Sequence, residues 1–119
     1  MSQSPYTVAV YLNVDRNNFD GYQPHHPLAT ANDLVFRVNA ISHEDAAEKA
    51  WPVGNKVATD LDNRSWPRDV RSFSVGDVAK VTGNGQTRFY ACARGGWDEI
   101  AEPTNPVVAL AGTRATSRK

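Results

Sequence analysis

His25, His26, His43 and the single cysteine, Cys92, are the residues whose types suit a metal or a nucleophile. Imidazole and thiolate are the usual zinc ligands, but the spacing argues against them here. There is no Cys-x-x-Cys or His-x-x-x-His pair. Adjacent histidines in an extended loop point in opposite directions, so His25 and His26, set between Pro24 and Pro27, read as exposed loop residues. No metal or other cofactor is expected. A cysteine nucleophile needs a base and an electropositive setting. Cys92, with Ala91 and Ala93 beside it, reads instead as a buried, inert thiol. Glu44, Asp45 and Glu48 would form a general acid/base set only if they lined a cleft; at the start of a helix they are a solvated face matched to the helix dipole. No nucleophile, base and metal can be assembled, and the expectation is a protein that is not an enzyme.

Two binding surfaces are candidates. Arg64, Arg68, Arg71, Arg88 and Arg94 are interleaved with Trp66, Phe73, Phe89, Tyr90 and Trp97. Single-strand binders use that mixture, cations for phosphate and rings for bases, and Arg68, Arg71, Arg88, Arg94 and Trp97 would be the contacts. Against it, a small domain needs most of those rings for its core, and zero net charge with an isoelectric point near 6.8 is not the basic profile of such a binder. The Gly83-Asn84-Gly85 turn is no phosphate loop, since neither a helix nor a Lys-Ser/Thr pair follows. The second surface is the loop Phe19 to Pro27, where Phe19, Tyr22, His25 and His26 would contact a protein partner. Its alternative is a self-packed lid over the sheet edge.

The neutral total hides an asymmetry. Residues 1–63 hold four basic against eight acidic side chains, a net of −4, and residues 64–119 hold nine against five, a net of +4. Three of the nine, Arg114, Arg118 and Lys119, fall in a segment without periodicity. The length of 119 residues suits one domain with one core. No apolar run approaches the roughly 18 residues that span a bilayer, and the first residues lack a basic region followed by a hydrophobic stretch, so a cytoplasmic protein without membrane partners is expected. One cysteine cannot make an internal disulfide, which fits a reducing compartment. Asn63-Arg64-Ser65 is a glycosylation sequon by chance.

Tyr6 to Val14 alternates as a strand, with Tyr6, Val8, Val10, Leu12 and Val14 on one face. Asp15 to Asp33 is polar and rich in Asn, Pro and Gly, a loop folded over the sheet. Leu34 to Val38 is a second strand pairing with the first. Ser42 caps a helix whose apolar stripe is Ala46, Ala47, Ala50 and Trp51, and Pro52 ends or kinks it. Thr59 to Pro67 is a polar connection. Asn84-Gly85 predicts a type I′ hairpin in which Val81 faces Arg88, Ala79 faces Tyr90 and Asp77 faces Cys92, so that Ala79, Val81, Tyr90 and Cys92 share a face. Gly95-Gly96 breaks that strand before a closing element, Trp97 to Ile100; Pro106 to Leu110 would add an edge strand, and Gly112 to Lys119 reads as disordered. The predicted fold class is α+β, a mainly antiparallel sheet of four to five strands with one helix on one face. Residues 1–103 would form the domain and 104–119 a flexible tail.

The segment Arg71-Ser72-Phe73-Ser74-Val75-Gly76-Asp77-Val78, followed after one hairpin by Tyr90, Cys92, Gly96, Trp97, Asp98, Glu99 and Ile100, resembles the C-terminal motif of YodL-like domains. It is also similar to small uncharacterised proteins of actinobacteria, their plasmids and phages. The shared segment covers about a quarter of the chain and brings no catalytic residues with it. The resemblance implies an accessory protein of a bacterial mobile element or phage that acts by binding another protein. A small nucleic-acid-binding module is the alternative.

Overall fold

The computed structural model describes residues 2–15, 21–104 and 107–110. The chain is α+β, with one α-helix and seven strands, in a mostly antiparallel sheet, among the described residues. Strand β1 (Ser4–Asn13) is central. Its alternation buries Tyr6, Val8, Val10 and Leu12 toward the helix and leaves Thr7, Ala9 and Tyr11 on the outer face. Val14, expected on the inner face, lies just past the strand and is exposed. One side of β1 pairs antiparallel with β4 (Val78–Gly83). Antiparallel to it also run β3 (Val35–Ala40), along Ser4–Ala9, and β2 (Leu28–Thr30), along Leu12 and Asn13.

The register explains why the sheet has more strands than expected. Leu12 pairs with Ala29 but Ala9 pairs with Val35, so the partner chain spends six residues where β1 spends three. The surplus is taken up by a 3₁₀ turn, Asn32–Leu34, which buries Leu34 and splits β2 from β3. Thr30 Oγ1 bridges the break by donating to the Val10 carbonyl at 2.8 Å. The segment expected to be all loop thus contributes a strand. β7 (Val107–Ala109) adds parallel to β2, an edge strand within the expected Pro106 to Leu110. The expected disorder of Gly112 to Lys119 lies outside the described residues.

The β4–β5 hairpin, with β5 spanning Gln86–Ala93, has the predicted register: Gly83 opposite Gln86, Val81 opposite Arg88 and Ala79 opposite Tyr90. Asn84 and Gly85 sit at φ 51° and 76°, as a type I′ turn requires. Ala79, Val81, Tyr90 and Cys92 are buried together. A second tight turn at Arg94-Gly95 leads into β6 (Gly96–Ile100), antiparallel to β5.

Helix α1 (His43–Gly54) opens with the Ser42 hydroxyl accepting the Asp45 N–H at 3.0 Å, while the Asp45 carboxylate takes the Ile41 N–H. It lays Ala46, Ala47, Ala50 and Val53 on the sheet. The helix runs two residues beyond Pro52, further than expected. A helical proline forfeits its own N–H bond and crowds the carbonyl four residues before it, but leaves the N–H groups that follow it free to close the next turn. The last turn here is closed by Asn55, whose backbone N–H and side-chain amide both donate to the Trp51 carbonyl. Beneath it Phe36, Trp66 and Phe73 stack in series, with centroids 5.8 and 6.3 Å apart. The Trp66 indole N–H donates to the carbonyls of Val70 and Arg71, so this buried ring leaves no polar atom unpaired. On the opposite face of the sheet Leu28, Val78, Phe89 and Ala91 form a smaller cluster, packed by Tyr11, Tyr22 and Ile100. No helix among the described residues is long and apolar enough to cross a membrane.

Candidate functional site

The densest polar constellation lies where the β4 entry meets the end of β1. Asp77 is fully buried. Its two oxygens accept from both Arg71 guanidinium nitrogens at 2.8 Å, from the Asn13 N–H at 2.8 Å and from the Ser74 N–H at 2.9 Å. Arg71 also donates to the carbonyls of Asn13 and Ser72. Burial pushes the Asp77 carboxyl up, against the opposing pull of Arg71 and of the two backbone N–H groups. Burial likewise works against the Arg71 charge, but Asp77 outweighs it and holds the guanidinium above its ordinary value. With its lone pairs committed, Asp77 is placed to clamp three chain segments together rather than to move protons. Cys92 packs beside this cluster, and burial, reinforced by the charges of Asp77 and Glu48, pushes its thiol up to about 12. It is a protonated thiol at neutral pH, not a thiolate.

Asn13 extends the network into the loop. Its amide nitrogen donates to the Gly76 carbonyl at 3.0 Å and its oxygen accepts the Asp15 N–H, which fixes the amide's orientation. The same nitrogen donates to His26 Nδ1 at 2.9 Å, and the Gln23 N–H reaches that atom at 3.0 Å. His26 is buried, and its rings and those of His25 are not turned apart as an extended loop would have them. A turn closed by the His26 N–H on the Gln23 carbonyl brings the two rings to 4.6 Å. Ligand-capable atoms of Asp15, His25 and His26 consequently fall within 4.8 Å of one another. The tautomer decides what this trio suits. Two N–H donors on Nδ1 put the imidazole proton on Nε2, which faces the Asp15 carboxylate at 3.8 Å. A cation on Nε2 would move that proton to Nδ1, against both donors, so the donor set fits an Asp–His contact better than a metal.

The residues nominated from sequence are dispersed. Phe19 lies outside the described residues. Tyr22 packs on the outer-face cluster, His26 is buried in the network just described, and His25 is exposed. Of the arginines, Arg68 is exposed, and Arg71 is paired with Asp77. Arg88 reaches Gln86 and approaches Glu99 at 3.9 Å, while Arg94 sits exposed in the β5–β6 turn. Of the interleaved rings, Trp66, Phe73, Phe89 and Tyr90 are buried and Trp97 alone is half-exposed.

What the sequence did not single out is the groove between the last turns of α1 and the β5–β6 hairpin, about 310 Å³, walled by Trp51, Trp97, Val75 and Cys92 and flanked by Glu48 and Arg94. Trp97 meets Trp51 edge-on at 6.1 Å, leans on Phe73 at 5.5 Å, and donates its indole N–H to Glu48 at 2.8 Å. The sequence places Trp51 in the apolar stripe of the helix. In fact both indoles are half-exposed, because the strand carrying Trp97 is the last of the sheet on that side. No family model, curated protein or solved structure matches this chain.

Proposed function

We propose that this chain is a non-enzymatic binding domain whose partner is another protein, engaged at the groove of Trp51 and Trp97. The observation that carries this reading is the pair of half-exposed indoles held in fixed orientations, one by Phe73 and a hydrogen bond to Glu48, the other by the helix. Rigid aromatic side chains supply contact area at little entropic cost and dominate binding energies at protein interfaces. The polar clusters support the same reading from the other side: Arg71 and Asp77 are spent on each other, and the Cys92 thiol is protonated. The resemblance of residues 71–100 to YodL-like domains supports an accessory role on a bacterial mobile element or phage, in the cytoplasm.

The test is affinity capture from the source cell with wild type and a Trp51→Ala/Trp97→Ala variant, each with and without nuclease. A protein held by wild type, lost by the variant and indifferent to nuclease is the expected result. Capture that disappears with nuclease, or that the double variant retains, overturns the assignment.

A further inference from the structure

We infer that the groove's partner is an extended basic peptide segment, and that it binds by adding a strand to the free edge of β6. This rests on the protein-binding reading above and specifies its ligand.

The sheet's edges are not equivalent. β3 is closed by its own chain: the Leu61 N–H donates to the Arg37 carbonyl at 2.9 Å, and the Asp60 carboxylate takes the Arg37 N–H at 2.9 Å. Among the described residues β6 pairs with β5 alone. Cys92 spends its N–H on the Asp77 carbonyl and its carbonyl on the Gly76 N–H, both on the β4 side. Its cross-strand partner Trp97 therefore turns its backbone groups away from β5, and two residues on Glu99 does the same. Two donors and two acceptors thus face outward at strand spacing, which is what strand addition uses.

Side chains select the occupant. Trp97 and Glu99 lie on the helix-side face of β6, and Asp98 on the other. Glu48 stands beside Trp97, and Glu44 shares the adjoining surface with Glu99. Four carboxylates, Glu44, Glu48, Asp98 and Glu99, outnumber Arg88 and Arg94 along this edge. A strand carrying Lys or Arg at alternate positions meets carboxylates on both faces, and a cation beside Trp97 gains from the ring as well. An acidic strand meets repulsion, and a nucleic-acid backbone meets the same carboxylates.

The test is selection of a displayed library of random ten-residue peptides on the wild-type protein and on Glu99→Pro. Proline removes an outward N–H without touching the β5–β6 ladder. Enrichment of peptides with Lys or Arg at alternate positions, about tenfold over the Glu99→Pro selection, is expected. A synthetic copy of one should shift the backbone amides of Trp97 and Glu99 more than those of Val107 to Ala109. Should Glu99→Pro not fold, Glu48→Lys/Glu99→Lys takes its place and must lose the basic peptides. Acidic or helically patterned winners, or equal enrichment on the variant, overturn strand addition. So does a dimer in sedimentation that Glu99→Pro dissociates, since a second copy would then own the edge. If the Trp51/Trp97-dependent capture still stands after such a failure, only the ligand assignment falls; if capture itself fails, the protein-binding reading falls with it.

Discussion

Arg71 and Asp77 illustrate how much of a small domain's polar chemistry goes into holding loops rather than ligands. Removing either partner strands a charge in the interior, so Asp77→Ala and Arg71→Ala should each cost about 3–5 kcal/mol in urea unfolding. The sequence sets both residues in the Arg71–Val78 segment but does not pair them: six residues apart in irregular chain, no periodicity brings them together, and Arg71 reads as one more cation for a ligand. Asp60 is the contrasting carboxylate. Burial works against its charge, but the N–H groups of Arg37, Arg64 and Asp62, helped by the Arg64 charge, outweigh it and hold the carboxyl below 3.8. A folded value below the unfolded one means stability that is complete above pH 3.8 and lost as pH falls through the folded value. Asp60→Asn should therefore be less stable than wild type by a constant margin from neutral pH down to 3.8, and the two should converge in more acid solution. Chemical denaturation across that range measures the margin; one that grows toward acid would refute the assignment. For Cys92 the expected outcome is slow labelling by thiol reagents in the native state and fast labelling once unfolded.

Among the elements, legibility follows the range of the signal. β1, the helix cap at Ser42 and the Asn84-Gly85 hairpin are specified within a few residues of themselves, by alternation, an N-cap hydroxyl and positive φ, and each is where the sequence puts it. β2 is not readable that way, because a three-residue strand in a polar segment owes its state to the partner it meets, whereas β7 falls inside the apolar run where an edge strand is expected. Nor is the three-residue surplus between β2 and β3, which only the pairing with β1 defines. The Trp51–Trp97 groove joins residues 46 positions apart and was invisible for the same reason. Two substitutions probe the elements themselves. Gly85→Val forces a β-branched residue to φ 76°, a strain of about 1–3 kcal/mol that should appear as lost stability and broadened amides along β4 and β5. Gly54→Ala would drive a methyl into the Phe73 side chain where the helix end touches the core. A loss of about 1–3 kcal/mol is expected, with disturbed Trp66 and Trp97 resonances, since both rings lean on Phe73.

At the scale of the molecule, the charge asymmetry of the sequence does not gather into a basic face among the described arginines of the C-terminal half. Arg71 is neutralised inside, Arg88 lies near Glu99, and Arg94 shares its groove with Glu48. The rings a nucleic-acid binder would offer to bases are, apart from Trp97, buried in the two clusters on either side of the sheet. That separates the two functional readings by a salt titration, because binding to phosphates releases counterions and weakens steeply as salt rises. The informative variant is Arg68→Ala/Arg94→Ala, which removes exposed cations and spares Arg71, whose loss would report on folding instead. Anisotropy with labelled single- and double-stranded DNA and RNA should give weak association at low salt, reduced in the variant, and none at physiological salt. Tight binding that persists at physiological salt and is abolished by the two changes would establish the nucleic-acid module and leave the Trp51–Trp97 groove without the role proposed for it.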